Sequence, residues 1–204
     1  MQQQSVSQSR LLEAALSLIR SKGYAATTVD AICATAGVTK GSFFHHFSSK
    51  EDLVLQAVGF WNRLTEEVFA QAAFAKVADP RDRLLGYVDF RIEILGMEVA
   101  EFTCLLGTLV QETYQTHPQV RTACDEGMSR HIAVLTRDIA AAKEIYAPNA
   151  EWTPESLGYF IQAVLQGSFI FAKAKLEAQV ARDNLGHLRA YLETVLPIDR
   201  QQEE

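Results

Sequence analysis

Between Thr27 and Leu53 the chain reads TTVDAICATAGVTKGSFFHHFSSKEDL. Thr28 is suited to cap a helix that runs through Ile32 to Ala36, because its hydroxyl can accept from a free N–H of the first turn. Gly37 takes the left-handed conformation that a helix stop requires without steric cost. Thr39 caps the next helix, and Val38 ahead of it can staple onto Phe43. Ala31, Ala34 and Ala36 are small enough for the two helices to cross closely. Two short helices joined by so tight a turn make a helix-turn-helix, whose second helix lies in the major groove of DNA.

Spacing sorts the faces of that second helix. Phe43 and Phe47 are four apart and continue Val38, so they point to the core. Lys40 with Phe44, and Gly41 with His45, form outward rows flanked by Ser42 and His46. The outward set is basic, small, hydroxylic and aromatic, which suits phosphates and base edges. Lys50, in the first turn of the helix that follows, can reach a phosphate beside free N–H groups. Adjacent helical residues diverge by about 100 degrees, so His45 and His46 cannot share an ion. No metal and no cofactor are expected.

Working outward, helical periodicity persists in both directions. Leu11, Leu12, Ala15, Leu18 and Ile19 form one stripe that stops at Gly23. Ser48 or Ser49 opens a helix toward Ala75, and Asp79-Pro80 opens another that reaches Gly96. Further helices are expected over Val99 to Thr116, Pro118 to Tyr146, and Thr153 to Ala181. Asp183 is expected to cap the last, which ends before Pro197. No stretch alternates with a period of two, so the fold is all-α with about nine helices. An N-terminal three-helix DNA-binding domain is expected over 1–53, followed by a larger helical ligand-binding and dimerisation domain over 54–204.

Composition narrows the class. The chain has 204 residues, 48% hydrophobic and 22% charged, which excludes global disorder. Three scattered cysteines, Cys33, Cys104 and Cys124, argue for a reducing compartment and against structural zinc. The opening MQQQSVSQSR has no apolar core and is no secretory signal. The longest uncharged run, Ser156 to Ala172, spans 17 residues and includes Gln162 and Gln166, too short and polar for a membrane span. A cytoplasmic protein without a membrane partner is expected. Charge is uneven. Residues 1–50 carry five basic side chains against Glu13 and Asp30, a net of +3, while the rest carry 14 basic and 23 acidic ones, a net of −9. A basic head on an acidic body suits a protein that meets a polyanion at one end.

Residues 10–58 resemble the DNA-binding domain of the TetR family of bacterial transcriptional regulators. The resemblance is carried by Arg10-Leu11-Leu12-Glu13-Ala14-Ala15, Lys22-Gly23-Tyr24, Thr27-Thr28-Val29, Ile32, Ala36-Gly37-Val38, Gly41, Phe44-His45-His46-Phe47 and Ser49-Lys50-Glu51-Asp52-Leu53. It implies DNA-contact roles for Thr28, Lys40, Gly41, Ser42, Phe44, His45, His46 and Lys50. Many members carry tyrosine where this chain has Phe44. The missing hydroxyl forfeits a phosphate hydrogen bond of about 1 kcal/mol but leaves an aromatic face for sugar or a thymine methyl.

The resemblance further implies a repressor released from its operator by a small-molecule inducer, with an activator as the alternative. The body agrees with this on its own terms. Tyr159 to Ala172 is apolar on nearly every face and must be covered all round. Ala163 and Gly167 admit a close neighbour, and Leu185, Leu188, Leu192 and Val195 form a stripe. These features suit a homodimer through the last two helices, related by a two-fold axis. An effector pocket is expected from Phe90, Ile94, Thr108, Gln111, Tyr159, Gln162 and Phe169. Cys104, placed mid-helix, is either a core residue or a thiol sensor of oxidants and electrophiles activated by Lys173. No nucleophile elbow, zinc-protease motif, phosphate loop or dinucleotide fingerprint is present, so an enzyme is not expected.

Overall fold

The computed structural model describes residues 6–198, so the first half of the polar opening lies outside the described residues. Among them it is all-α, with ten α-helices and two short 3-10 turns. Contacts divide the chain into two compact units. One is the chain up to Glu66 with Thr103–Met128, and the other is Glu67–Phe102 with the chain from Ser129 onward. No helix of the described residues is long and apolar enough to cross a membrane.

The first unit is built on α1 (Val6–Lys22), α2 (Val29–Ala36) and α3 (Lys40–His46). It also holds most of α4 (Lys50–Gln71), all of α7 (Leu105–Thr113) and the first part of α8 (Pro118–Tyr146). Its core takes Leu11, Leu12, Ala15 and Ile19 from α1, Ile32 from α2, and Phe43 with Phe47 around α3. Leu53 and Ala57 of α4, Leu105 and Leu109 of α7 and Val120 with Cys124 of α8 complete it.

The second unit contains α5 (Pro80–Glu93), α6 (Val99–Phe102), α9 (Pro154–Lys175) and α10 (Gln179–Val195), with the ends of α4 and α8. Its buried side chains include Leu84, Tyr87 and Val88 of α5, Ile161, Leu165 and Phe169 of α9, and Leu185, Leu188 and Leu192 of α10.

Several element boundaries differ from the sequence expectation: α4 ends at Gln71 rather than near Ala75, and α5 at Glu93 rather than Gly96. The helix expected over 99–116 is broken after Phe102, and Cys104 is extended at the N-cap of α7 rather than mid-helix. Phe102 is buried in the second unit, whereas Leu105 and Leu109 are buried in the first. This break supplies the tenth helix. α9 stops at Lys175, short of Ala181, because Leu176 turns left-handed at φ 55°. Its N–H donates to Lys173 O and that of Glu177 to Ala172 O, the double bond of a Schellman ending. Asp183 does not cap α10. That helix begins at Gln179 after Ala178, and Asp183 instead accepts from the Gln179 side-chain amide at 2.8 Å.

Candidate nucleic-acid interface

The helix-turn-helix is closed by the groups that its sequence offers. Thr28 Oγ1 accepts from Ala31 N–H at 3.1 Å, and Thr39 Oγ1 from Ser42 N–H at 3.2 Å. Gly37 is left-handed at φ 65°, its N–H donating to Ala34 O while Val38 N–H donates to Cys33 O. α2 therefore ends in a complete Schellman motif, which fixes the angle at which the chain enters α3.

α3 is then pinned by its inward face. Phe43 and Phe47 are fully buried with rings 5.6 Å apart, while Phe44 stands 58% exposed with its ring edge-on to Phe43 at 5.1 Å. Lys40, Gly41 and His45 are exposed, as is Thr28, and Ser42 is half-buried. The Lys40 ammonium lies 2.7 Å from the Asp30 carboxylate, an exposed pair that costs little to exchange for a phosphate. His46 is half-buried, its Nε2 hydrogen-bonded to Ser7 Oγ of α1 at 2.7 Å. At the head of α4, Ser49 Oγ accepts from Asp52 N–H, and Asp52 Oδ2 accepts from Ser48 N–H. Hydrogen bonds to the Asp52 carboxylate, from the Ser48 backbone first and then the Gln56 side chain, hold it below the usual carboxylate range.

Lys50, in the first turn of α4, is engaged within the protein. Its Nζ donates to Tyr24 O and Thr27 O, both at 3.1 Å, and sits 3.9 Å over the Tyr24 ring. Burial lowers its pKa. The same loop is also held by Glu112 of α7, whose Oε1 accepts from Tyr24 N–H and Oε2 from Ala25 N–H at 3.0 and 2.9 Å. His117 Nε2 is hydrogen-bonded to the Tyr24 hydroxyl at 3.1 Å. The segment joining α1 to α2 is therefore clamped by a lysine, a glutamate and a histidine. Neither Glu112 nor His117 belongs to the set read from the sequence, because both reach the loop from residues far along the chain.

The residues expected to sense a ligand are divided between the units. Cys104, Thr108 and Gln111 belong to the first, where Gln111 is exposed with its amide donating to Gly107 O, and Thr108 donates to Cys104 O. Tyr159, Gln162, Phe169 and Lys173 belong to the second. There Tyr159 is exposed, Lys173 is half-buried, and Phe169 is buried with its ring 6.0 Å from Phe102. The Gln162 amide donates to the Tyr87 hydroxyl, which is also hydrogen-bonded to His131 Nε2. Tyr87 and His131 were not part of the expected pocket. The density of aromatic residues from Phe69 to Phe90 was the signal available for it.

Residues 11–57 match the family model of bacterial regulatory proteins of the tetR family. The chain is 28% identical to the transcriptional regulator AcuR of Cereibacter sphaeroides, over 84% of this chain and 78% of that one. It is 29% identical to the HTH-type transcriptional repressor DhaR of a Mycobacterium species, over 80% of each. In fold it is similar to a regulatory protein TetR from Rhodobacter sphaeroides, with a TM-score of 0.83 at 23% identity, covering 95% of this chain and all of the other.

Proposed function

Because the chain belongs to the TetR family of bacterial transcriptional regulators, we propose that it is a ligand-responsive repressor, acting as a homodimer on a near-palindromic operator. The observation that carries this reading is the division of α3. Phe43 and Phe47 are buried while Lys40, Gly41, Phe44 and His45 face solvent on a helix pinned at both ends. A rigid helix with a small, basic and aromatic outer face is what the major groove admits.

In this reading Thr28, Lys40, Gly41, Ser42, Phe44 and His45 meet DNA directly. His46 and Lys50 act from behind, holding α3 to α1 and the α1–α2 loop to α4. Repression, rather than activation, is supported by the likeness to DhaR, which is named a repressor.

The dimer is proposed to form through α9 and α10. Phe160, Ile170, Phe171 and Tyr191 are all exposed there, and the Phe160 and Tyr191 rings lie 5.0 Å apart. Gly167 has open space above it, so a second helix could approach its backbone. Exposed apolar side chains on a helix pair are the usual mark of an interface. An inducer would favour a dimer whose reading heads are wrongly spaced for successive grooves, with a coupling of about 1–3 kcal/mol.

Nuclease footprinting of the full chain on duplexes selected from random sequence tests this. The expected result is two protected half-sites about one helical turn, roughly 34 Å, or a multiple of it apart. A single unpaired half-site, or none, would contradict it.

A thiol reading has one observation in its favour: Cys104 is half-buried, whereas Cys33 and Cys124 are buried. Titrating operator binding with an alkylating agent in native and Cys104→Ser proteins decides it, since equal release in both excludes Cys104.

A further inference from the structure

In the second unit, Arg91 of α5 forms no salt bridge with a carboxylate among the described residues. Its guanidinium carbon lies 5.4 Å from the Phe69 ring centre and 5.3 Å from that of Phe169. Its Nε is buried and, among the described residues, is the one buried side-chain nitrogen or oxygen without a hydrogen-bond partner. The carboxylates of α5 are spent elsewhere or exposed. Asp82 pairs with Arg81, Asp89 pairs with Arg189, and Glu93 faces solvent.

His131 feels the Arg91 charge: burial and that charge lower its pKa to about 4, so it is neutral at physiological pH and offers no anion. The two aromatic faces return part of the desolvation cost of the guanidinium, but a ring above or below it cannot satisfy an in-plane N–H. Leaving such a donor buried and empty is unfavourable, and natural sequences rarely keep one unless something else fills it.

The surroundings indicate what fills it. Phe69 packs against Tyr87, Phe90 and His131, with ring centres 5.6, 5.7 and 5.1 Å away. Tyr87 OH, His131 Nε2 and the Gln162 amide form a hydrogen-bonded chain alongside. An apolar body would lie against the rings, with a short polar edge near that chain. An acid group would accept from the guanidinium, whose planar fork matches a carboxylate's two oxygens and whose single charge matches its single charge.

We propose that Arg91 anchors the effector of this regulator, and that the effector is a monocarboxylate with an apolar body. The proposal rests on the ligand-responsive reading above and supplies its chemistry.

Calorimetry and thermal melting of the full chain with benzoate, phenylacetate and hexanoate, against the neutral amides of the same acids, test it on the native protein. The acids are expected to bind and to raise the melting temperature, and the amides are not. Arg91→Gln is expected to weaken acid binding by about tenfold or more, as loss of a charged hydrogen bond does, whereas Arg91→Lys keeps the preference for acid over amide. Equal binding of acids and amides, no binding by any of the acids, or full acid affinity in a folded Arg91→Gln protein would each overturn the proposal. Should Arg91→Gln not fold, the acid–amide comparison on the native chain decides alone. Operator anisotropy in the same titrations separates the two readings. Acid binding without release of DNA keeps the anion site and removes its role as effector, and absence of operator binding before any acid is added removes the repressor reading itself.

Discussion

At the scale of single residues, the loop after α1 shows how much depends on groups that face inward. Gly23 has φ 86°, and a Cβ there would run into the Glu112 carboxylate that caps Tyr24 and Ala25. Gly23→Ala therefore combines left-handed strain with displacement of a double cap, and is expected to lower stability by about 2 kcal/mol in urea unfolding. Lys50→Ala removes two donors to loop carbonyls. It is expected to lower the melting temperature and weaken DNA binding at every sequence, while the slope of affinity against salt stays at the native value; a slope smaller by about 1 would instead make Lys50 a phosphate contact. His131 supplies a pH signature. Its folded pKa of about 4 lies below the ordinary 6.5, so the unfolded chain binds more protons between those values. Its contribution is complete above pH 6.5 and is lost as pH falls toward 4, a loss of about 3 kcal/mol. Thermal unfolding between pH 7.5 and 4.5 is expected to show this loss in the native protein and to lack it in His131→Gln.

At the scale of elements, what was legible in the sequence follows one physical line. Thr28, Gly37 and Thr39 act through their own backbone neighbours, so their roles could be read from residue type and spacing, and the structure gives each a cap. Phe43 and Phe47 were legible because a four-residue spacing fixes a face. Leu176 was not legible, because a left-handed C-cap is ordinarily advertised by glycine, and leucine gives no sign of it. The break at Thr103-Cys104 was hidden because the apolar pattern runs on through it while its residues are drawn into two cores. Glu112 and Arg91 escaped for a third reason: the loop that Glu112 holds lies far along the chain, and Arg91 Nε has no hydrogen-bond partner among the described residues, and periodicity carries no record of either. The strain at Leu176 yields a prediction. It is 84% exposed and makes its ending without glycine, so Leu176→Gly is expected to stabilise the protein by about 1 kcal/mol, seen as a melting temperature higher by roughly 2–4 °C.

At the scale of the whole molecule, the account joins a DNA-reading unit to a unit with an exposed apolar helix pair. If α9 and α10 are the dimer interface, Phe171→Glu places a charge where a second copy would bury it. Sedimentation is then expected to show a monomer, and operator affinity should fall because one reading head contributes only half of the contacts. An unchanged dimer would move the interface elsewhere. The charge division of the sequence fits this scale as well, since a basic head can approach DNA while an acidic body is repelled from it. Everything at this scale depends on α3 making sequence-dependent contacts. The most direct test is fluorescence anisotropy of the full chain, without added small molecules and at modest salt, on its selected duplex and on a scrambled duplex of equal length. The account predicts a preference of about a thousandfold or more for the selected duplex, largely lost in a Lys40→Ala, Phe44→Ala double variant that remains folded. Equal affinity for both duplexes in the native protein would contradict it.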